Sequence, residues 1–203
     1  MAEGFVSRAF RGRRRSPELE GRLPPGQYPE EDFPVLSAGP TPRTRLDQWD
    51  LRLLGEVDSP RRWTWQEFQA LPRETVTVDI HCVTKWSKFD TRWEGVSVDT
   101  LLADAGVEGS YEVAFSDGGY TTNLPLEDVT GGRAWVVDTY DGEPLPPEHG
   151  GPARLLVPHL YFWKSAKWVA GLQLLDHDEP GFWERNGYHD RGDPWLEQRY
   201  QGD

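Results

Sequence analysis

Thr75-Val76-Thr77-Val78-Asp79-Ile80-His81-Cys82-Val83-Thr84-Lys85-Trp86-Ser87 opens as a strict alternation. Val76, Val78, Ile80 and Cys82 fall on one side of a strand, and Thr75, Thr77, Asp79 and His81 on the other. The only thiol of the chain is thereby placed on an inward face, at the end of a strand and before a polar turn.

Working outward, the same period recurs. Trp49, Leu51 and Leu53 alternate with Asp50 and Arg52, which predicts a half-buried strand. Thr64 and Glu67 form a capping-box signature for a short helix from Trp65 to Leu71, stopped by Pro72. Ser97 to Ala105 reads as a second helix, ended by Gly106. Strands are expected over Glu112 to Phe115, Tyr120 to Leu124, Ala134 to Tyr140, Arg154 to Val157 and Trp168 to Leu175. Many short strands and few helices predict an α+β fold of mixed β-sheets in which strands dominate. Residues 1–32 read as a partly disordered arm, 33–176 as one catalytic domain, and 177–203 as an irregular tail packed on it.

Length and composition fit this picture. A chain of 203 residues is long enough for one domain with a real core. Ten tryptophans argue against a disordered chain. A net charge of −12 argues against nucleic acid and anionic membrane surfaces as partners. No apolar run approaches the roughly 20 residues of a membrane span. No export leader is read at the start, so the expected location is the cytoplasm. One cysteine excludes an internal disulfide and a multi-cysteine zinc or iron–sulfur site.

Two features carry chemistry. The chain has 22 basic residues, of which only Lys85, Lys88, Lys164 and Lys167 are lysines, in two pairs. Solvated loop lysines are one reading; compact ammonium groups set against a phosphate are the other. Pro144 to Arg154 is a Pro-Gly-rich loop in which Gly150 and Gly151 allow close backbone approach, followed by Arg154 at a strand start. Together with Lys164 and Lys167 it reads as an anion cradle. Cys82 itself can be a small buried hydrophobe, a metal ligand, or a nucleophile with His149 or His159 as base.

His81-Cys82-Val83-Thr84-Lys85-Trp86-Ser87, with Trp93-Glu94-Gly95-Val96 behind it, resembles the cysteine motif of the sulfite oxidase-type molybdopterin oxidoreductases. Gly142 to Gly150, Arg154, Val157-Pro158 and Lys164-Ser165-Ala166-Lys167-Trp168 are similar to that family's cofactor-anchoring segment. Gly119-Tyr120-Thr121-Thr122-Asn123-Leu124 resembles its active-site tyrosine strand. The resemblance runs from about Phe33 to Leu175 and includes the small methionine-sulfoxide reductase catalytic subunits. It implies one molybdenum–molybdopterin per chain, with Cys82 as the protein ligand to the metal and Tyr120 beside it. It implies cofactor contacts from Phe33, Ser37, Asp117, His149, Arg154, Lys164, Ser165, Ala166 and Lys167. It further implies a monomer that acts on a small oxo-donor or oxo-acceptor substrate and exchanges electrons with a separate redox partner protein. Two features depart from the pattern: Leu36-Ser37-Ala38 stands where sulfite oxidases carry Arg-Asn-His, and no arginine follows shortly after Cys82. From the residues alone, a tryptophan-rich binding module and a Cys–His hydrolase using Cys82 and His149 remain open.

Overall fold

In this computed structural model the described residues are Leu19 and residues 21–203. Of the expected partly disordered arm over residues 1–32, residues 1–18 and 20 lie outside them. Among the described residues no helix is long and apolar enough to cross a membrane.

Strand propensity and alternation build two sheets. The first is made of β1 (Tyr28–Pro29), β4 (Glu74–His81), β5 (Trp86–Ser97), β8 (Trp135–Tyr140), β9 (Glu143–Pro144) and β10 (Arg154–Leu156). The second is made of β2 (Asp50–Gly55), β3 (Arg61–Thr64), β6 (Tyr111–Ser116), β7 (Thr121–Pro125) and β11 (Val169–Leu175), in the order β3-β2-β11-β6-β7. Most neighbours are antiparallel, but β2 lies parallel to β11 and β1 parallel to β5. Among the described residues there are four short α-helices: α1 (Trp65–Gln69), α2 (Val98–Leu102), α3 (Leu126–Val129) and α4 (Phe182–Arg185). The architecture is α+β with mixed sheets, as the alternation predicts.

Local sequence explains most boundaries. Glu67 accepts from the Thr64 backbone N–H at 2.8 Å while Thr64 Oγ1 accepts from the Glu67 N–H, closing the capping box of α1. Ser97 caps α2 in the same way through the Thr100 N–H. This second helix is shorter than expected and stops at Leu102, before Ala103 and the left-handed Asp104.

The sequence reading missed β5, the 12-residue strand at the centre of the first sheet. Its charged residues Lys88, Asp90, Arg92 and Glu94 hide it, and its pairing with β4 shifts register between Val78 and Ile80. Asp90 sits at φ 53° beside that irregularity, so no single alternation runs the strand's length.

The first sheet is buried on both faces. Val96, Val136 and Leu155 point into the main core, shared with Leu53, Leu172, Leu174, Leu101 and Phe68. Trp93, Trp135, Val137 and Leu156 point the other way, into a second core with Ile80, Cys82, Trp86 and Phe162. The candidate site grows from this second core. Residues 177–203 are irregular apart from α4, and they bring buried Glu184 and Arg199 against the body.

Candidate functional site

Cys82 stands at the corner of the β4–β5 hairpin. Its N–H donates to the Trp86 carbonyl at 2.9 Å, and its own carbonyl accepts from the Lys85 N–H at 2.9 Å and from Gln27 Nε2 at 3.1 Å. Lys85 closes the turn at φ 78°, a conformation a non-glycine residue rarely adopts. The backbone is therefore held firmly, whereas the side chain has one polar contact, Thr84 Oγ1 donating to Sγ at 3.1 Å. Burial pushes the thiol up, which disfavours a free thiolate. Among the described residues no three His, Cys, Asp or Glu side chains converge on a metal-sized site. A metal at Cys82 would therefore take its other ligands from a cofactor.

Beside the thiol lies a concentration of positive charge. Arg154, on β10 two residues from Leu156, faces the same second core and is 1% exposed. Its guanidinium donates to the carbonyls of His149 at 2.7 Å and Ser165 at 2.6 Å, and lies 4.0 Å from the Phe162 ring centre. Among the described residues it has no carboxylate within ion-pair distance, and burial lowers it to about 9. Lys167 is similar. It donates to the carbonyls of Leu36 at 2.7 Å and Glu148 at 2.6 Å, and burial together with Arg154 lowers it to about 8. Two crowded cations with only carbonyl partners form an unneutralised site, costly unless an anion completes it.

The neighbouring polar edge is also incomplete. His149 stacks on Phe33, ring centres 3.9 Å apart and 12° from coplanar, yet its buried Nδ1 has no partner. Burial, Lys167 and Arg154 hold this imidazole below its ordinary value. Gly150 allows the approach. At φ 113° its Cβ would stand 3.0 Å from Arg154 Cβ and 3.2 Å from Lys167 Cα. A buried arginine beside a half-buried lysine, an orphaned imidazole nitrogen and a side-chain-free loop are what a phosphate-bearing heterocycle needs.

Residues 38–183 match the model of the oxidoreductase molybdopterin binding domain. The chain belongs to this family. It is an oxidoreductase with a molybdopterin-binding fold. It is 45% identical to the oxidoreductase YuiH of Bacillus subtilis over 95% of this chain and 98% of that protein. It is 29% identical to the protein-methionine-sulfoxide reductase catalytic subunit MsrP of Gluconobacter oxydans over 68% of this chain and 50% of that one. The sulfane dehydrogenase SoxCD of Paracoccus pantotrophus superposes with a TM-score of 0.62 at 26% identity, over 68% of this chain and 41% of its own. The chain thus spans nearly all of YuiH but about half or less of the other two.

Within the molybdopterin-binding fold, the expected site residues divide. Phe33, His149, Arg154 and Lys167 come together as described, and Ser37 follows the Leu36 carbonyl that Lys167 holds. The hydroxyl of Ser165 accepts from the Val157 N–H at 2.9 Å, and the carbonyl of Ala166 accepts from the Leu155 N–H at 2.8 Å. These bonds fix the strand-edge backbone next to Arg154. Asp117 donates its N–H to the Trp168 carbonyl and accepts from Thr44 Oγ1 at 2.7 Å, so its carboxylate already has a partner.

One expectation needs correcting. Lys164 does not join the anion cradle. It is wholly buried, paired with Glu184 at 2.7 Å, and donates to the Asn123 carbonyl, Asn123 Oδ1 and the Asp190 carbonyl. Its ammonium is spent on tying the tail to β7. Tyr120 donates its hydroxyl to the Trp163 carbonyl at 2.6 Å and lies within electrostatic reach of Arg154.

A second phenol on this side of the fold is Tyr188, which sequence reasoning missed. Burial, Tyr200 and Cys82 raise it, and its ring packs edge-on to Trp163 at 5.1 Å. Nothing marks it in sequence, because the polar, aromatic tail has no period. Arg199 of the same tail donates to the Val83 carbonyl at 2.9 Å, holding the tail against the cysteine turn.

Proposed function

We propose that the chain binds one molybdenum–molybdopterin with Cys82 as the protein ligand to the metal, and acts on a small oxo-donor or oxo-acceptor substrate. The observation that carries this reading is the pair of buried Arg154 and half-buried Lys167, which among the described residues have only carbonyl partners and no carboxylate within ion-pair distance. When bound, the cofactor supplies two-electron redox chemistry and oxygen-atom transfer. The chain supplies the rest. Arg154 and Lys167 would hold the phosphate, with the Ser165–Ala166 backbone and Gly150 shaping the approach. Phe33 and the orphaned His149 nitrogen would orient the ring system. Cys82 would give up its proton as the ligand bond replaces it. The redox partner is a separate protein, in keeping with a chain that carries no haem attachment sequence or flavin fingerprint of its own.

Reversing one cradle charge tests this directly. Lys167→Glu is expected to lose a charge-assisted bond and add repulsion, about 3 kcal/mol of cofactor binding. Pterin and molybdenum content should fall sharply while the apoprotein melts nearly as before. Equal pterin in variant and parent protein would remove Lys167 from the site.

The two phenols separate by a second test. Tyr120→Phe should lower turnover roughly a hundredfold, the scale of one hydrogen bond made mainly in a transition state, and cost about 1 kcal/mol of stability from its lost bond to Trp163. Tyr188→Phe should leave turnover nearly unchanged. The reverse pattern would make Tyr188 the active-site phenol.

A further inference from the structure

The tail that carries Tyr188 also presents an apolar patch to solvent. Trp195 is 44% exposed, Leu196 63% and Tyr200 53%. Exposed side chains of this size, contiguous in one short segment, mark a contact surface more often than a plain exterior. The patch is anchored rather than loose. Arg199 is buried beneath it and bonded to the Val83 and Pro25 carbonyls, and Tyr200 stacks edge-on to Tyr188 at 5.5 Å.

Its chemistry specifies the visitor. Asp190, Glu197 and Asp203 are exposed in the same stretch of the tail, and Asp193 is half-buried there. The nearby arginines are neutralised or covered: Arg191 pairs with Asp128 at 3.1 Å, and Arg199 is buried. Lys85, at the cysteine turn, is the exception. Exposed carboxylates interspersed with exposed apolar side chains, on a chain of net charge −12, attract a basic protein surface.

Position specifies the task. The Trp195 ring meets the His81 ring edge-on, centroids 6.3 Å apart, and His81 is bonded directly to Cys82. An exposed aromatic thus reaches, through one buried imidazole, the residue next to the thiol. We propose that Trp195, Leu196 and Tyr200 form the docking face for a basic one-electron carrier protein, with Trp195 and His81 as its route to the Cys82 centre. This rests on the reading of Cys82 as the metal ligand. The reduced centre releases two electrons and each oxidised carrier takes one, so two carriers are reduced in each cycle.

The test uses molybdenum-loaded holoenzyme, reduced chemically and mixed in a stopped flow with one of two oxidants. One is a lysine-rich c-type cytochrome; the other is ferricyanide, too small to need a docking face. Leu196→Lys is expected to slow the cytochrome reaction about tenfold or more. Glu197→Lys should slow it less and flatten its dependence on salt. Molybdenum content and the ferricyanide rate should stay within about twofold of the parent protein, a spread too small to mimic the docking effect. The proposal is overturned if the parent enzyme fails to reduce the cytochrome, if the variants leave that rate unchanged, or if both oxidants slow together. It is also overturned if Leu196→Lys dissociates a dimer and leaves the cytochrome rate intact, which would make the patch a contact between copies. Failure of the underlying reading shows itself separately, as parent protein without molybdenum or pterin.

Discussion

Replacing Cys82 with serine is expected to leave a folded protein that retains most of its pterin and has lost its redox turnover. The backbone of Cys82 is fixed by Trp86, Lys85 and Gln27, none of which touches the sulfur. Serine is nearly the same size, and the Thr84 hydroxyl can bond an oxygen as well as Sγ. The stability cost should therefore be about 1 kcal/mol. The cradle formed by Arg154, Lys167 and His149 is built from a different part of the chain, so pterin content should survive. What changes is the donor: a soft thiolate becomes a hard hydroxyl that is not ionised at neutral pH. Turnover should fall roughly a thousandfold or more, the scale seen when a reacting group is removed. The sulfur-to-metal absorption should disappear with it. A Cys82→Ser protein with parental turnover and absorption would show that the thiol is core filler.

Part of this site was legible in the sequence for a definite reason. The alternation of Val76, Val78, Ile80 and Cys82 survives folding because all four join the second core, despite the register shift at Val78–Ile80. The anchoring segment was legible because Lys167 is one of only four lysines and stands close to Arg154 and the Gly150-Gly151 pair. Composition alone could not divide the lysine pair. Lys164 and Lys167 are three residues apart around a tight turn, and one points at Glu184 while the other lies beside Arg154. Tyr120 follows a Gly-Gly turn, after which a tyrosine can face either way, and its bond to the Trp163 carbonyl comes from packing that the sequence does not show. β5 was hidden by charges that lie at the sheet's exposed end and by a positive-φ aspartate that breaks the period. Tyr188 and Trp195 were out of reach, because their neighbours to Cys82 come from long-range packing of an aperiodic tail.

Glu112 shows the same limit in a group away from the site, and it carries the second large expectation. On β6 it pairs in register with Leu124 of β7 and Leu174 of β11, both wholly buried. In sequence it looks like the solvent-facing partner of Val113; in the fold both faces of this strand are covered. Its carboxyl is fully buried, both oxygens lack a partner, and burial alone pushes it up to about 8. The folded chain thus keeps a proton that the unfolded chain releases near its ordinary value of 4.5. Below that value both states hold the proton and the group is neutral with respect to folding. Between there and about 8 the folded state binds more protons, so its contribution to stability falls as pH rises. The slope is about 1.4 kcal/mol per pH unit, and the full loss is about 4–5 kcal/mol above the window. Glu112→Gln keeps the shape and removes the titration. Denaturant unfolding of both proteins from pH 4 to 9 should show the variant gaining on the parent by this slope as pH rises, while other titrating groups cancel in the difference. A difference that stays flat across that range would mean the Glu112 carboxyl is hydrated or paired in solution.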